Sequence, residues 1–582
     1  MKTKTSTRTS EPGYALLLVM VFLGLSLLLL TGILSWTSQN VRDTDRGNEY
    51  YTSASAAEAA TEKVLVRMAR DYIQNGESAV INNLTRYRTN YPTTAENAYW
   101  GNYSFTNPKD GSTGTWVANS NTSAYAVLNG QYSGLSGYRS TYYISSDAGL
   151  INSRYGITAR VGQWIGLEAI PLFQFAIFYN MDLEIEPGAP MLITGRVHSN
   201  SNIWVHPGAS LTFASDTTAS GVILTNTMPA DPRGNGGLTN ITIGWSTNKH
   251  VGGNSSLNLP IGTNNSPDNV FEVLNIAPGG ESPNSALGTN RYYNKADLII
   301  IVSNTTVSVT SGVNVDNKTT TIPTNQWSQF LTTTNTFYDG RELSNVRVTQ
   351  LDVGKFRTWA QSATNPIAAK LAGKTIPNIV YIADERTSVS YESGVRLVNG
   401  ARLPDGGLTV ATPNPVYIKG DYNTTSDGVN FSKTGNTTTY TRPASVLGDA
   451  ITILSSQWSD GYGTSLNHPA VDTTINAALV SGIVPTDSSA YSGGVENFAR
   501  FLENWNGHKS WYNGSMVVLF NSRTATAPWR PPGSGSGSYY DVPTRNWAFD
   551  KNFNIEANLP PGTPRILFVE RQQWAFRDRN SP

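Results

Sequence analysis

Two glutamates near the C-terminal end of the chain have the residue type and spacing that acid–base catalysis could use. Glu496 and Glu503 lie seven residues apart in the segment Val495–Trp505. In a helix their carboxyl groups would share one side, about 10.5 Å apart along the axis, and glycoside hydrolysis needs a pair of carboxyl groups. Four apolar residues fall on one face of the same predicted helix: Phe498, Phe501, Leu502 and Trp505. This face is typical of a helix that plugs a β core, and we favour that interpretation.

Three acidic residues alternate along a predicted strand and could bind calcium. Asp182, Glu184 and Glu186 are separated by single apolar residues, so their side chains would share one face of the strand. Carboxylate oxygens are ligands that calcium prefers, provided that neighbouring loops supply further oxygens. Because alternation is also the pattern of a strand with one face in water, we favour a solvated outer face.

Other potential ligands show no metal-binding spacing. Asp421, Asn423 and Asp427 form an oxygen-rich loop that lacks the glycine and the terminal glutamate of an EF-hand. The five histidines are scattered and form no H-E-x-x-H motif: His198, His206, His250, His468 and His508. The absence of cysteine excludes disulfides, zinc thiolate sites and cysteine nucleophiles. We therefore predict no catalytic residue, no metal and no cofactor, and expect that the protein is not an enzyme.

The composition is typical of an extracellular chain rich in β-structure. Charged residues make up 14% of the sequence, against roughly 25% in average soluble domains. The formal net charge is +0, so nothing in the composition predicts nucleic-acid binding. We predict an α+β protein, mainly β, in which a long N-terminal transmembrane helix is followed by a β-rich body that is partly a β-solenoid.

A nine-residue repeat is the basis of the solenoid prediction. The segment 185–193 (IEPGAPMLI) returns twenty residues later as 205–213 (VHPGASLTF). Each copy places a Pro-Gly turn before alternating residues. The residues that correspond and would point into one core are Met191 with Leu211, and Ile193 with Phe213. Two stacked coils of a β-solenoid have this pattern, and a hairpin pair in a sandwich is the alternative.

The N-terminal segment predicts a membrane anchor. Residues 14–34 contain no charged side chain, and a helix of this length spans about 31 Å, which matches the ~30 Å hydrocarbon core of a bilayer. The preceding residues carry Lys2, Lys4 and Arg8, which favours a cytoplasmic N terminus. We therefore expect a single-pass protein with its N terminus inside and its body outside the cytoplasm.

The sequence around Gly13 is similar to a known processing signal. The segment 11–14 (EPGY), the apolar run after it and the alanine–glutamate run 54–60 together resemble the N-terminal region of type IV pilins and type II secretion pseudopilins. The similarity is closest to PilX-like minor pilins and the K-type minor pseudopilin, and covers about residues 1–73. It implies a class III leader, cleavage by a prepilin peptidase between Gly13 and Tyr14, and N-methylation of Tyr14.

The resemblance also implies partners and a place in a filament. Leu18 stands where most members of the family carry a glutamate, which neutralises the terminal amine of a neighbouring subunit inside the apolar filament core. Without this glutamate, routine packing into the filament shaft is not expected, and large members with a similar departure are placed at filament tips. The implied partners are the inner membrane, a prepilin peptidase, and other pilins or pseudopilins.

The helix is predicted to continue beyond the membrane to about Ile73, with a bend or a locally melted turn at Gly47 and a stop at Asn75-Gly76. Its predicted buried stripe has three- and four-residue steps: Tyr50, Ala54, Ala57, Thr61, Val64, Met68 and Tyr72. The predicted divisions are the leader (1–13), the helix and spine (14–76), a pilin-like β-rich head (77–175), a solenoid-like module with long loops (176–345), and a C-terminal β-rich module with short helices (346–582). A helix is predicted over Val353–Ala372 in the last module.

These features predict a pilin-like minor subunit of a type IV pilus or of a type II secretion pseudopilus. We expect its large body to be exposed at the filament tip, for assembly initiation or adhesion. A surface polysaccharide or another cell-surface ligand is the candidate partner of the body, and nucleic acid is not. The alternative is a single-span anchored surface adhesin, or a polysaccharide-binding or polysaccharide-hydrolysing protein.

Overall fold

The computed structural model describes residues 3, 12–121, 123–234, 242–247, 249–434, 437–463, 468–532 and 538–577. Over these residues the chain forms a long N-terminal helix followed by a body built mainly of strands, as the sequence predicts. Most of the predicted leader, residues 1, 2 and 4–11, lies outside the described residues.

Helix α1 runs from Pro12 to Asn82. The predicted stop, Gly76, has φ 73° and ψ −175°, which breaks the helical geometry. The predicted end near Ile73 is too early, because a short helical segment follows Gly76. No locally melted turn occurs at Gly47, since Gly76 is the only residue within the described α1 that has non-helical torsion angles. A glycine inside a helix costs only about 1 kcal/mol, which good helix formers around it offset.

The two halves of α1 differ in what surrounds them. The side chains of residues 14–46 are all exposed, whereas one face of the helix is buried from Ser53 onward. Six members of the predicted stripe are buried, which confirms them: Ala54, Ala57, Thr61, Val64, Met68 and Tyr72. Tyr50 is exposed and lies at the edge of the interface, beside the ring of Phe576.

A small antiparallel sheet covers the second half of α1, as predicted for the head. Its strands are β1 (Tyr103–Thr106), β2 (Trp116–Asn119), β3 (Ala124–Val127), β4 (Ser136–Leu150) and β5 (Thr158–Pro171). Strands β1, β2, β3 and β5 all pair with β4. Apolar side chains of β4 and β5, including Tyr142 and Ile165, form one core with Val64 and Met68 of the helix.

Three parallel stacks of short strands follow the head. The strands are β6 (Phe175–Tyr179), β7 (Leu183–Ile185), β8 (Met191–Ile193), β9 (Arg196–Ser199), β10 (Ile203–Val205), β11 (Leu211–Phe213), β12 (Thr217–Ala219), β13 (Ile223–Leu224), β14 (Ile243–Trp245) and β15 (His250–Val251). Each strand from β6 to β12 pairs in parallel with the third strand after it. Met191 pairs with Leu211 and Ile193 with Phe213, which confirms the correspondence predicted from the repeat. Because the two strands of a hairpin run antiparallel and these pairs are parallel, the alternative of a hairpin pair is wrong.

The remaining strands form two facing sheets, and the last strand joins the head sheet. They are β16 (Leu298–Val302), β17 (Val307–Ser311), β18 (Leu331–Asp339), β19 (Ser344–Asp352), β20 (Ile379–Asp384), β21 (Glu392–Val398), β22 (Leu408–Ala411), β23 (Val416–Lys419), β24 (Ala444–Gly448), β25 (Ile451–Leu454), β26 (Thr473–Ile483), β27 (Ala499–Phe501), β28 (Lys509–Asn521), β29 (Thr544–Phe549) and β30 (Arg565–Arg577). One sheet contains β16, β20, β22, β24, β26 and β28, and the other runs in the order β18, β19, β21, β23, β25, β27.

Two pairings cross the predicted module boundaries. Strand β28 pairs with β6, so the segments 176–345 and 346–582 share one sheet. The boundary after residue 345 also falls inside β19. Strand β30 pairs with β5, so the C-terminal segment belongs to the head sheet. Pairing between distant segments leaves no local pattern, which is why the boundaries drawn from composition do not follow it.

The short helices also differ from the predictions. They are α2 (Leu84–Arg88), α3 (Pro267–Phe271), α4 (Ala286–Asn290), α5 (Tyr292–Lys295), α6 (Val313–Asp316), α7 (Thr324–Trp327) and α8 (Val353–Ala360). The helix predicted over Val353–Ala372 ends at Ala360, before a polar turn and Pro366, which disfavours helix at the residue before it. The helix predicted over Val495–Trp505 is wrong. The chain there forms a 3₁₀ turn and then strand β27, which pairs with β25. Its predicted apolar face is nevertheless buried in the body.

Candidate functional sites

The first half of α1 presents an apolar surface that nothing in the described chain covers. Residues 14–41 contain no charged side chain, and all of them are exposed. Among the described residues, α1 is the one helix that is long and apolar enough to cross a membrane. The core helix of a soluble protein also passes that test, but its apolar residues would be buried. The exposed apolar helix therefore fits a membrane anchor.

The predicted processing residues, Gly13 and Tyr14, lie in the first turn of α1. The Tyr14 side chain is 77% exposed. Leu18, one helical turn further on, is exposed as well. The structure thus leaves this turn accessible, while cleavage after Gly13 and methylation of Tyr14 stay predictions.

Polar contacts fix the second half of α1 to the head sheet. The Gln163 side-chain amide of β5 donates to Thr61 Oγ1 and Glu62 Oε1, both at 2.7 Å. Arg571 of β30 donates to both carboxylate oxygens of Glu62 at 2.7 Å. Lys63 donates to the Tyr91 carbonyl at 2.7 Å. Strands from both ends of the chain therefore hold the helix in one orientation relative to the head.

Glu184 of β7 and Glu186 just after it lie in a buried cluster and not on a solvated face, so the favoured interpretation of this strand is wrong. Carboxylate oxygens of Glu184, Glu186 and Asp231 lie within 4.8 Å of one another, and Glu184 is only 5% exposed. Thr486 and Ser492 donate hydroxyl hydrogen bonds to Glu184 Oε2. Two distant loops cover this side of the strand, which the alternating pattern does not reveal.

Arg233 supplies the positive charge of this cluster. Its Nη2 lies 2.5 Å from Asp231 Oδ2 and also contacts Glu186 Oε2. Its guanidinium lies over the Tyr491 ring, 3.3 Å from the ring centroid. Burial raises the pKa of Glu186 to about 7 and raises the pKa of Glu184 as well. The three carboxylates have the chemistry of a calcium site, but an ion would have to displace Arg233.

The third predicted ligand of that strand has other partners. Asp182 Oδ1 accepts hydrogen bonds from the Ser201 hydroxyl and from the backbone and side-chain amides of Asn202. The second oxygen-rich loop is likewise engaged within the protein. Asp421 forms an ion pair with Lys433 at 2.6 Å, and Asp427 accepts from the backbone amides of its own turn. The structure therefore does not assemble either predicted calcium set as the sequence pattern arranges it.

Glu496 and Glu503 do not form the predicted helical pair. Glu503 accepts hydrogen bonds from the Ser455 backbone amide at 2.6 Å and from the Ser455 hydroxyl at 2.7 Å. Glu496 lies elsewhere, near Glu186 and Arg545, and burial raises its pKa to about 8. The geometry on which the hydrolase comparison depends, two carboxyl groups on one side of a helix, does not occur.

A polar groove opens on the sheet that contains β18, β19, β21 and β23. The cavity measures about 740 Å³. We define the polar groove by its lining: Asn335, Gln350, Arg396, Val398, Asn399, Ala401, Lys419, Gly420, Asp421, Ser456, Trp458, Ser459 and Asp460. Ten of these thirteen residues carry a side chain that can form hydrogen bonds. The sequence shows no motif for this groove, because its residues come from strands far apart in the chain.

A hydrogen-bonded chain of side chains forms the floor of the polar groove. Gln350 and Arg396 pair across β19 and β21, which places them on one face. Arg396 Nε donates to Gln350 Oε1 at 2.8 Å, and Arg396 Nη2 donates to Asp460 Oδ2 at 2.9 Å. Asn335 Nδ2 donates to the same Gln350 oxygen at 3.2 Å. These contacts fix the orientation of the groups that face the open cavity.

Comparisons with known proteins give one structural likeness that we describe. No protein-family model and no curated protein matches the chain. A solved structure that is similar, with a TM-score of 0.27 and 10% sequence identity, is the competence-associated pilin ComZ from Thermus thermophilus. The alignment covers 90% of this chain and 98% of that one.

Proposed function

We propose that this protein is a pilin-like minor subunit of a type IV pilus or of a type II secretion pseudopilus. One observation carries the proposal: helix α1 is apolar over residues 14–34 and exposed over residues 14–46, and it is packed under a β-sheet from Ser53 to Val80. A helix divided in this way can insert in the inner membrane, with its N terminus in the cytoplasm, and assemble with other pilins or pseudopilins while it holds a body outside. Processing by a prepilin peptidase would precede assembly.

The finer proposal places the body at the filament tip, where it initiates assembly or mediates adhesion. Two features support it. Leu18 offers no carboxylate to the terminal amine of a neighbouring subunit. The body, which the structure describes from the head to β30, is much larger than the head alone and would obstruct neighbours in a shaft. We also propose that its parallel stacks form a β-solenoid, and that it has no enzymatic activity.

A photo-crosslinking experiment tests the assembly proposal. Benzoylphenylalanine replaces Leu25 in the exposed apolar half of α1, and Val389, which is fully exposed on the body, receives the same probe as the control. We expect position 25 to crosslink to other pilins or pseudopilins in the membrane and in sheared filaments, and position 389 not to crosslink to them. Crosslinks to lipid alone at position 25, in cells that make filaments, would overturn the proposal.

A second candidate function is a single-span surface adhesin or polysaccharide-binding protein that joins no filament. The polar groove is the observation that favours it, since a large open site needs no filament to act. The same crosslinking experiment separates the two, because the second candidate predicts no crosslink to a pilin at either position.

A further inference from the structure

We propose that the polar groove binds a neutral, hydroxyl-rich oligosaccharide. The inference deepens the proposed function and rests on it for the setting, because it gives the displayed body a ligand. Binding itself depends only on the groove and not on the helix, so the two proposals can fail separately.

The polar groove is large enough to hold an oligosaccharide. Its volume of about 740 Å³ lies within the range of ~300–1,000 Å³ that is typical of ligand sites. Three other cavities, lined by residues beside β7, β8 and β9, hold about 10 to 30 Å³. A chain of several sugar rings fits the large groove and none of the small ones.

The charges in the groove are balanced, which favours a neutral ligand. Arg396 is paired with Asp460, and Asp421 is paired with Lys433 just outside the groove. Lys419 is the remaining cationic side chain of the lining. A nucleic acid would need a row of cations to match its phosphates, and a polyanionic polysaccharide would meet the carboxylates of Asp421 and Asp460. A divalent cation would compete with the bound guanidinium and ammonium groups.

The hydrogen-bonding groups match the hydroxyls of a sugar. Amide and hydroxyl side chains donate and accept, as sugar hydroxyls do. Because the oxygen of Gln350 accepts from Arg396 and from Asn335, its NH₂ group and the Asn335 oxygen are left for a ligand. Ser456 and Ser459 are exposed at the opposite part of the lining. The ion pair that fixes Gln350 preorganises the site and reduces the entropy lost on binding.

The same features argue against an apolar ligand and against a peptide strand. Trp458 is only 4% exposed, because it packs against Phe337 and Tyr462, so the groove offers no open aromatic platform. A peptide that adds to a sheet needs an unpaired strand edge. The groove lies mainly over β19, β21 and β23, which are each paired on both sides, and the outer edge of β18 is the unpaired edge at this end of the sheet. The groove must therefore hold its ligand mainly through side-chain hydrogen bonds.

The test uses the full chain in lipid nanodiscs, because detergents with sugar headgroups would offer the same hydroxyls as the ligand. The probes are neutral hexasaccharides of glucose and mannose with α-1,4, α-1,6, β-1,3 and β-1,4 linkages, and polygalacturonate as the anionic comparison. Binding is measured by calorimetry. We expect at least one neutral hexasaccharide to bind, and polygalacturonate to bind more weakly.

Variants locate the binding in the groove. Ser456→Trp with Ser459→Trp fills the cavity from two exposed positions, and Ser388→Trp changes an exposed serine outside the lining. We expect the double variant to bind at least about tenfold more weakly, since the loss of one or two hydrogen bonds already has that effect, and the control to bind as the wild type does. Asn335→Ala removes one side chain that would bind the sugar, and it should weaken binding several-fold without filling the groove.

Three results would overturn the inference. These are no binding of any neutral hexasaccharide, preferential binding of polygalacturonate, and binding that the double variant leaves unchanged. The thermal unfolding midpoint of each variant shows whether the body is folded, and Asn335→Ala gives a second answer if the double variant is not. If no oligosaccharide binds but position 25 still crosslinks to pilins, the further inference is wrong and the proposed pilin-like function is retained.

Discussion

The two halves of helix α1 share one secondary structure and differ in their surroundings. From Tyr14 to Leu34 the residues are almost all apolar, on every face, and exposed. From Ser53 to Val80 one largely apolar face is buried under the head sheet, while most of the charged residues lie on the other faces. A helix that is apolar all round needs an apolar medium, whereas an amphipathic one needs a single packing partner.

This difference explains how one helix can lie partly in an apolar environment and partly against a folded domain. The first half has no partner within the described chain, so its apolar surface is stabilised only by lipid or by other apolar helices. The second half is held by Gln163 and Arg571 as well as by its apolar stripe. We infer that the second half sets the orientation of the body and the first half sets its location.

The largest effect is expected when charged residues are substituted into the first half of α1. Leu25→Arg with Leu29→Arg places two cations near the centre of the apolar run, and each costs about 2.5–3.5 kcal/mol of insertion free energy. We expect the double variant to leave the membrane fraction after an alkaline wash. Val66→Arg with Ile73→Arg is the matched control in the second half, where both side chains are exposed. If both pairs behave alike, the comparison between the halves is wrong.

A large effect is also expected in the second half of α1, when a side chain of the buried stripe is shortened. Met68 is fully buried against the head core, so Met68→Ala should reduce the stability of the helix–head interface by about 2–5 kcal/mol. Faster amide hydrogen exchange over residues 53–80 measures the loss. Val66→Ala, two positions away on the exposed face, should change the free energy by no more than about 0.5 kcal/mol. Neither variant should change the membrane fraction.

The pH dependence should also differ between the halves. Residues 14–34 carry no acidic, basic or histidine side chain, so membrane association should not change between pH 5 and 8. In the head sheet, burial raises the pKa of Glu168 from 4.5 to about 7, although Arg139 opposes the shift. Because the folded state then binds more protons than the unfolded state between these values, the contribution of Glu168 to the stability of the head is fully present below about pH 4.5 and is lost as pH rises through about 7.

Glu168→Gln measures that contribution. We expect the wild type to lose on the order of 1–2 kcal/mol more stability than the variant between pH 5 and 8, followed by thermal unfolding. An equal pH dependence of both proteins would show that Glu168 does not carry the effect.

The smallest effect concerns the ion pair between Arg571 of β30 and Glu62 of α1. Both side chains are partly exposed, so Arg571→Ala should reduce the stability of the interface by only about 0–1 kcal/mol. Hydrogen exchange over residues 53–80 detects the change, and 1 M salt should remove most of it by screening. A larger, salt-independent loss would mean that packing of the arginine stem, and not its charge, joins the two elements.

The sequence predicts those parts of the fold that depend on local patterns. The stripe from Ala54 to Tyr72 follows from helical periodicity, and the parallel pairing of Met191 with Leu211 agrees with a repeat that is visible by eye. Gly76 was identified from its type, because a glycine readily adopts positive φ. In each case the neighbours that determine the structure are close in sequence.

The rest depends on contacts between distant segments. Glu184 is buried by Thr486, which lies 302 residues further along the chain, so an alternating strand alone indicates a solvated face. The segment Val495–Trp505 has helical periodicity, but pairing of β27 with β25 overrides it. The polar groove depends likewise on the register of β19 and β21, which no local pattern fixes. Tertiary contacts, not propensity, decided all three.

The most direct test of the pilin-like assignment is the mass of the N-terminal peptide. The protein is recovered from membranes of cells with and without an active prepilin peptidase, and its N terminus is measured by mass spectrometry. We predict that the peptidase leaves Tyr14 first, with a methyl group on its amine, and that cells without the enzyme retain residues 1–13. Retention of Met1 to Gly13 in both cells would contradict the assignment and leave an anchored surface protein.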